Sequence, residues 1–240
     1  DAYYGYWRDS VAVFEGEAVL SMQAIFMGDW FFVSGERLFE NSKLSAYLNV
    51  EGVHHIQQIS PVQIVASGPD TNHASILQLY FSAIANAHRQ IRINTPYLIL
   101  NEALLMALKT AAISGVKVQI ILPAKADHWI VFWGSRSYFQ ELLEVSVEIY
   151  EYQRGFMHAK ILIIDDEILG LGTANMDLRS FNHNFELTAL VYEDALVAEA
   201  INSFEIDLSY SKQIDLEEFK RRGIIERSQE SLCRLFSPLL

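Results

Sequence analysis

Apolar positions recur along this chain at two spacings, every second residue or every third to fourth, and the switches between them mark out its elements. Ser10 to Phe14 is a short β-like run, and Glu15 to Val33 sets Val19, Met22, Phe26, Trp30 and Val33 on one face of a helix. Residues 35 to 60 are more polar and weakly periodic, and read as a connection. From Pro61 the pattern is regular. Val62 to Ala66 reads as a strand, and Asn72 to His88 as a helix with Leu77, Tyr80, Phe81, Ile84 and Ala87 on its stripe. Ile91 to Thr95 is a strand closed by Pro96. Asn101 fits the N-cap of a helix through Ala112, Gly115 breaks it, and Val116 to Leu122 is an apolar central strand. This β-α-β-α-β order predicts an α/β layer fold.

Asp127 to Val145 is expected to be one helix, its Trp129, Phe132 and Trp133 belonging to the core more readily than to a lipid contact, and a strand follows at Val147 to Tyr150. Met157 to Ile164, Ile168 to Leu171 and Leu187 to Tyr192 are further strands. Asp194 is expected to cap a helix with Val197, Ala200, Ile201, Phe204 and Leu208 on its apolar side. Asp215 with Glu218 matches a capping box before the last, acidic-basic helix.

Composition narrows the function classes. At 240 residues and 51% hydrophobic the chain can bury one large core or two modest ones. Its single cysteine, Cys233, excludes an intramolecular disulfide, a cysteine-built zinc site and a CxxC redox pair, and reads as a small apolar group on a C-terminal helix. A net charge of -12 argues against nucleic acid as a partner, because that affinity comes from Lys and Arg neutralising phosphates. No apolar run approaches the ~18 to 20 residues of a membrane span, so the chain as written is expected to be soluble. It begins at Asp1 with sequence that looks internal, which suggests a fragment.

The chemistry concentrates between Phe156 and Glu186. A period of two puts His158 and Lys160 on one face of the motif strand, while Asp165 has the opposite parity, meets Asp166 at a turn and reads as a structural anchor. His158 can attack phosphorus or protonate a leaving alkoxide, and Lys160 supplies positive charge for a phosphate. Asn175 and Thr173 can donate to phosphate oxygens, and Gly172 lets backbone approach closely. Glu186, on the next strand, is placed to hold the His158 imidazole as the acid of a triad does. Asp165 and Asp166 lack the partners of a metal pair, and the Gly170 to Asn175 run lacks the third glycine of a dinucleotide fingerprint. His54, His55 and His183 read as loop residues.

The pattern HxKxxxxD over His158, Lys160 and Asp165, followed by GTAN, resembles the signature of the phospholipase D superfamily. Nearly the whole chain resembles the C-terminal half of the bacterial cardiolipin synthases, through GYWRDS, TPYLI, GVKVQIILPAKADHW, SRSYFQELLE, YEYQRGFMHAK, GTANMDLRSFNHNFE and SPLL. The resemblance implies a phospholipase D-like lobe, a mixed β-sheet flanked by helices on both faces, over residues 61 to 240. Residues 1 to 60 would be the tail of a truncated first lobe plus a connection. It implies transfer of a phosphatidyl group between two phosphatidylglycerol molecules, releasing glycerol through a phosphohistidine, without metal or organic cofactor. His158, Lys160, Asp165, Asn175 and Glu186 would form the catalytic set, with Lys160, Thr173 and Asn175 on the phosphate.

Family members use two such motifs, of which this chain has one. Asp9 matches the carboxylate expected to orient the missing first histidine. The implied partners are membrane lipid, the missing N-terminal lobe or a second copy of the chain, and the implied location of the whole protein is the bacterial cytoplasmic membrane. Rival readings are a hydrolytic phospholipase D, a nuclease, or an inert lobe acting as an interaction module.

Overall fold

Side-chain alternation decides which layer each strand serves. The computed structural model describes residues 5–38, 48, 60–70, 73–125 and 127–239. Along the chain come β1 (Tyr6–Arg8), α1 (Glu17–Ser34), β2 (Val62–Ser67), α2 (Ser75–Ala85), β3 (Gln90–Asn94), α3 (Glu102–Ile113) and β4 (Lys117–Pro123). Then follow α4 (Trp129–Arg136), α5 (Phe139–Leu143), β5 (Glu148–Tyr152), β6 (Gly155–Met157), β7 (Ile161–Ile164), β8 (Ile168–Gly172) and α6 (Leu178–Asn182). The last are β9 (Glu186–Val191), α7 (Asp194–Ser209), β10 (Ser211–Gln213), α8 (Leu216–Lys220) and α9 (Ile224–Leu235).

Eight strands form one mixed sheet in the order β10-β5-β4-β3-β7-β8-β9-β2. β3, β4 and β5 are parallel and the remaining pairs antiparallel. In β7, Leu162 and Ile164 join a core built with Ile76 and Tyr80 of α2, Leu104 and Leu108 of α3 and Leu142 of α5. Ile161 and Ile163 point the other way, to a core shared with Val197 and Phe204 of α7. Both faces of the sheet are therefore covered, as the α/β expectation requires; β7 is apolar throughout, whereas β3 and β4 also bury the polar side chains of Arg92, Asn94 and Gln119.

Several elements differ from their sequence reading. The β-like run at 10 to 14 is irregular, and the strand lies just before it. Tyr6–Arg8 pairs in parallel with Gly155–Met157 as a separate two-stranded ribbon. A Cβ on Gly155 would collide with the backbone of Tyr6, so this contact needs glycine. The expected motif strand is consequently split: the amides of His158 and Ala159 both donate to the Arg8 carbonyl instead of continuing a ladder. The helix expected over 127 to 145 breaks into α4 and α5, where Ser137 Oγ donates to the Gly134 carbonyl at 2.6 Å.

Caps follow side-chain chemistry. Asn101 accepts from the Leu104 amide at 2.8 Å, as read from the sequence; Asp215 accepts from the Glu218 amide at 2.8 Å, but the helix it caps is the short α8, and the last helix, α9, follows Gly223. Asp194 is the first helical residue and not the cap, because Glu193 occupies that position. The apolar face read on α1 is covered only in part: Val19 and Met22 are half-buried, Phe26, Trp30 and Val33 are exposed, and the buried residue is Met27, outside the expected set. Trp129 is exposed too, against its core assignment. His54, His55 and most of the expected connection lie outside the described residues. Among the described residues no helix is long and apolar enough to cross a membrane.

Candidate active site

His158 and Lys160 sit in the break between β6 and β7 that β1 creates. Lys160 Nζ donates to the His158 carbonyl at 2.6 Å and lies 3.0 Å from His158 Nε2. On the other side of the ring, Asp9 Oδ2 lies 2.7 Å from Nδ1. A charged lysine donating to Nε2 assigns the ring proton to Nδ1, where the Asp9 carboxylate accepts it. Nε2 is then the atom with a lone pair. Trp7 packs against the imidazole with ring centroids 5.1 Å apart, and stacks on Phe156 at 4.7 Å.

Asp9 is held by its neighbour. Arg8 Nε donates to buried Asp207 of α7 at 2.7 Å, and its other nitrogens reach Ser203 at 2.6 Å and Ser10 Oγ at 3.1 Å. Asn94 Nδ2 completes Asp207 from β3 at 3.0 Å. The segment carrying Asp9 is thereby anchored to the helix beneath the sheet.

The Lys160 ammonium is held below the usual lysine range. Its desolvation by burial outweighs the opposing pull of the carboxylates of Asp9, Glu186, Asp177 and Asp127. Thr173 Oγ1 donates to Glu186 and accepts from the Leu187 amide at 3.0 Å. Glu186 also accepts from Asn184 Nδ2 at 3.1 Å. Asn175 Nδ2 donates to Asp177 at 3.1 Å, while its Oδ1 is buried without a partner among the described residues. The TPYLI and GTANM stretches meet here: Ile99 N donates to the Met176 carbonyl at 2.8 Å, and Met176 N to Thr95 Oγ1 at 3.2 Å.

Asp165 stands apart from this group. Its carboxylate accepts from the amides of His88, Arg89 and Gln90 at 2.8, 2.7 and 2.9 Å. Burial would raise its pKa, but these three donors and Arg89 hold it below the usual carboxylate range. Asp165 and Asp166 both have positive φ, 54° and 61°, in the turn from β7 to β8. Asp165 therefore ties that turn to the start of β3.

The sequence profile described as cardiolipin synthase, PLD-like domain, matches residues 80–208. The chain belongs to this family. Cardiolipin synthase 2 of Bacillus anthracis is 45% identical over 240 residues, covering 100% of this chain and 46% of that protein. Cardiolipin synthase of Halalkalibacterium halodurans is 46% identical, covering 100% of this chain and 47% of that protein. The chain thus spans about half the length of the curated relatives it matches. Phosphatidylserine synthase of Haemophilus influenzae shares the fold with a TM-score of 0.59 at 13% identity, over 82% of this chain and 51% of that one. Nuc of Salmonella typhimurium, described as a phospholipase D family member, does so with a TM-score of 0.56 at 18% identity, over 65% of this chain and 99% of that one.

In this cardiolipin synthase-family lobe two expectations fail. Glu186 does not hold His158; it is engaged by Thr173 and Asn184, and the imidazole is held by Asp9, expected to serve the missing histidine. The reason is the β1–β6 pairing, which brings residue 9 beside residue 158. Gly172 is needed for packing, because a Cβ there would strike the Leu187 carbonyl across the β8–β9 pair. Arg8, Asp207, Trp7 and Tyr97, which donates to Asp127, were not singled out by motif spacing. Asp207 did carry a signal: a carboxylate three residues after Phe204, on the apolar side of its helix.

Proposed function

We propose that this chain is the second-motif half of a cardiolipin synthase, which transfers a phosphatidyl group from one phosphatidylglycerol to another and releases glycerol. The observation that carries the reading is the Asp9–His158–Lys160 row, with Nδ1 at 2.7 Å from a carboxylate and Nε2 at 3.0 Å from an ammonium. A histidine so held presents its Nε2 lone pair, and Lys160 is poised to move from that nitrogen to the phosphate.

In the first step one histidine Nε2 forms a bond to phosphorus as the bond to the glycerol oxygen breaks. A second histidine gives its proton to that oxygen. In the second step the terminal hydroxyl of another phosphatidylglycerol loses its proton to the second histidine and attacks phosphorus, and the P–N bond breaks. His158 fills one of these two roles, and the other belongs to a first-motif histidine outside this sequence. Since Asp9, from the first-lobe side, serves His158, the same exchange assigns Glu186 to the absent histidine. Asn175, whose Nδ2 carries a second hydrogen beside the one given to Asp177, supplies a donor to a non-bridging oxygen, and the Thr173 hydroxyl supplies another on turning away from Glu186. Asp165 contributes by holding the β7–β8 turn.

Expected in the complete protein is loss of cardiolipin formation in His158→Ala, and a reduction of about 10²-fold or more in Glu186→Gln with the fold intact, scored by mass spectrometry of lipid products. Full activity in either variant overturns the assigned role. A second reading, hydrolysis to phosphatidate, is favoured for the isolated chain by the exposure of Thr173 and the partial exposure of His158, which admit water. Phosphatidate in place of cardiolipin identifies it.

A further inference from the structure

The last helix is built inside out. At 3.6 residues per turn, Ile224, Ile225, Ser228, Leu232 and Leu235 share one side of α9. A surface helix ordinarily buries such a stripe and shows its charges to water. Here Glu230 and Cys233 are the buried residues, while Ile224, Ile225, Leu232 and Leu235 are 80%, 71%, 53% and 76% exposed. The inversion has a local cause: Glu230 is pulled inward by Arg222, which meets both of its carboxylate oxygens at 3.0 and 2.8 Å.

The rim of the stripe is basic. Residues 220–235 hold five Lys and Arg against two Glu in a chain whose net charge is -12. Arg221, Arg227 and Arg234 are exposed, and a recess of about 290 Å3 beside α9 is lined by Arg222, Arg227 and Arg234 with Ser137, Gln140, Ser231 and Glu230; Arg222 is paired to Glu230 and Arg234 to Glu141 at 2.7 Å, which leaves Arg221 and Arg227 as the charges turned to solvent. Exposed aliphatic side chains edged by arginine match the chemistry of an anionic lipid surface, which offers acyl chains below and phosphates above. The rest of this acidic chain would be repelled by such a surface. An isologous contact between two copies of the stripe would set Arg227 and Arg234 against themselves.

The surface is also continuous with the site. α9 packs on α4, whose first residues Trp129 and Ile130 are exposed. They follow Asp127, the carboxylate that accepts from Tyr97 and acts on Lys160.

We propose that the outward stripe of α9 and its arginine rim dock this protein onto anionic phospholipid bilayers. The proposal is independent of the chemistry assigned to His158. It is tested by sedimenting the 240-residue chain with vesicles of phosphatidylglycerol mixed into phosphatidylcholine, and with phosphatidylcholine alone. The expected result is binding to the mixed vesicles, weakened about tenfold or more by Ile225→Glu with Leu232→Glu and about tenfold by Arg227→Glu, with circular dichroism and melting unchanged. His158→Ala should bind like the wild type, so loss of turnover and loss of docking are separable. Absence of binding by the wild type, equal binding to both vesicle types, or unaltered binding by the stripe variants overturns the proposal. So does a stripe variant that converts a dimer to a monomer while vesicle binding persists, because the stripe is then a self-association face.

Discussion

Under the proposed function, two basic side chains 3.0 Å apart would serve a phosphate in different ways. His158 keeps a lone pair on Nε2 because its ring proton stays on Nδ1, donated to the Asp9 carboxylate, and Lys160 approaches that lone pair from the other side. The lysine is half-desolvated, and burial wins over four nearby carboxylates in setting its pKa below the usual range. A lysine of lowered pKa loses its charge at a lower pH than a free one, so the clamp on phosphate weakens as pH rises toward the ordinary lysine value of roughly 10.4. In the complete protein, kcat/KM should therefore fall on the alkaline side below that value. Lys160→Arg, whose charge persists, should move the fall upward even if overall activity drops, and an unshifted alkaline limb in a pH profile would refute the assignment.

At the scale of elements, a three-residue strand does more than its length suggests. β1 lies along β6, interrupts the motif strand through the Arg8 carbonyl and sets Asp9 beside His158. It is held by the Arg8–Asp207 pair, in which Asp207 is buried on the α7 side of the sheet and Arg8 partly so. Removing one member of a buried pair leaves the other charge without compensation and costs about 3–5 kcal/mol. Asn94 still donates to Asp207, so the lower end of that range applies. Arg8→Ala should lower the stability of this chain by about 3 kcal/mol in urea unfolding, and should expose the segment around Asp9 to limited proteolysis. A stable variant with the segment still protected would mean that β1–β6 pairing alone suffices.

On the scale of the whole molecule, the chain carries one motif and spans about half of its curated relatives. Its exposed apolar side chains gather partly on α1, where Phe26, Trp30, Phe31, Phe32 and Val33 face outward, and partly on α9. The α1 group suits a second lobe, supplied by the rest of the protein or by another copy. With phosphatidylglycerol in detergent, cardiolipin yield per molecule of this chain should rise with protein concentration if two copies rebuild a two-histidine site, and should vanish in His158→Ala. A yield per molecule that does not change with concentration would mean that copies do not share a site.

Periodicity was sufficient for the layered α/β order, because a strand buried on both faces must be apolar and a helix laid on it must carry a stripe. Spacing along the chain was sufficient to pair His158 with Lys160, which stand two residues apart, and strand order to set Thr173 beside Glu186. The caps at Asn101 and Asp215 were legible for the same reason: each bond reaches only three residues along the chain. What the sequence alone did not decide was pairing across distance. Asp9 meets His158 across 149 positions and Arg8 meets Asp207 across 199, and neither spacing leaves a periodic trace. The tertiary structure also decided which stripes are covered, because burial depends on what lies opposite a helix as well as on the helix itself.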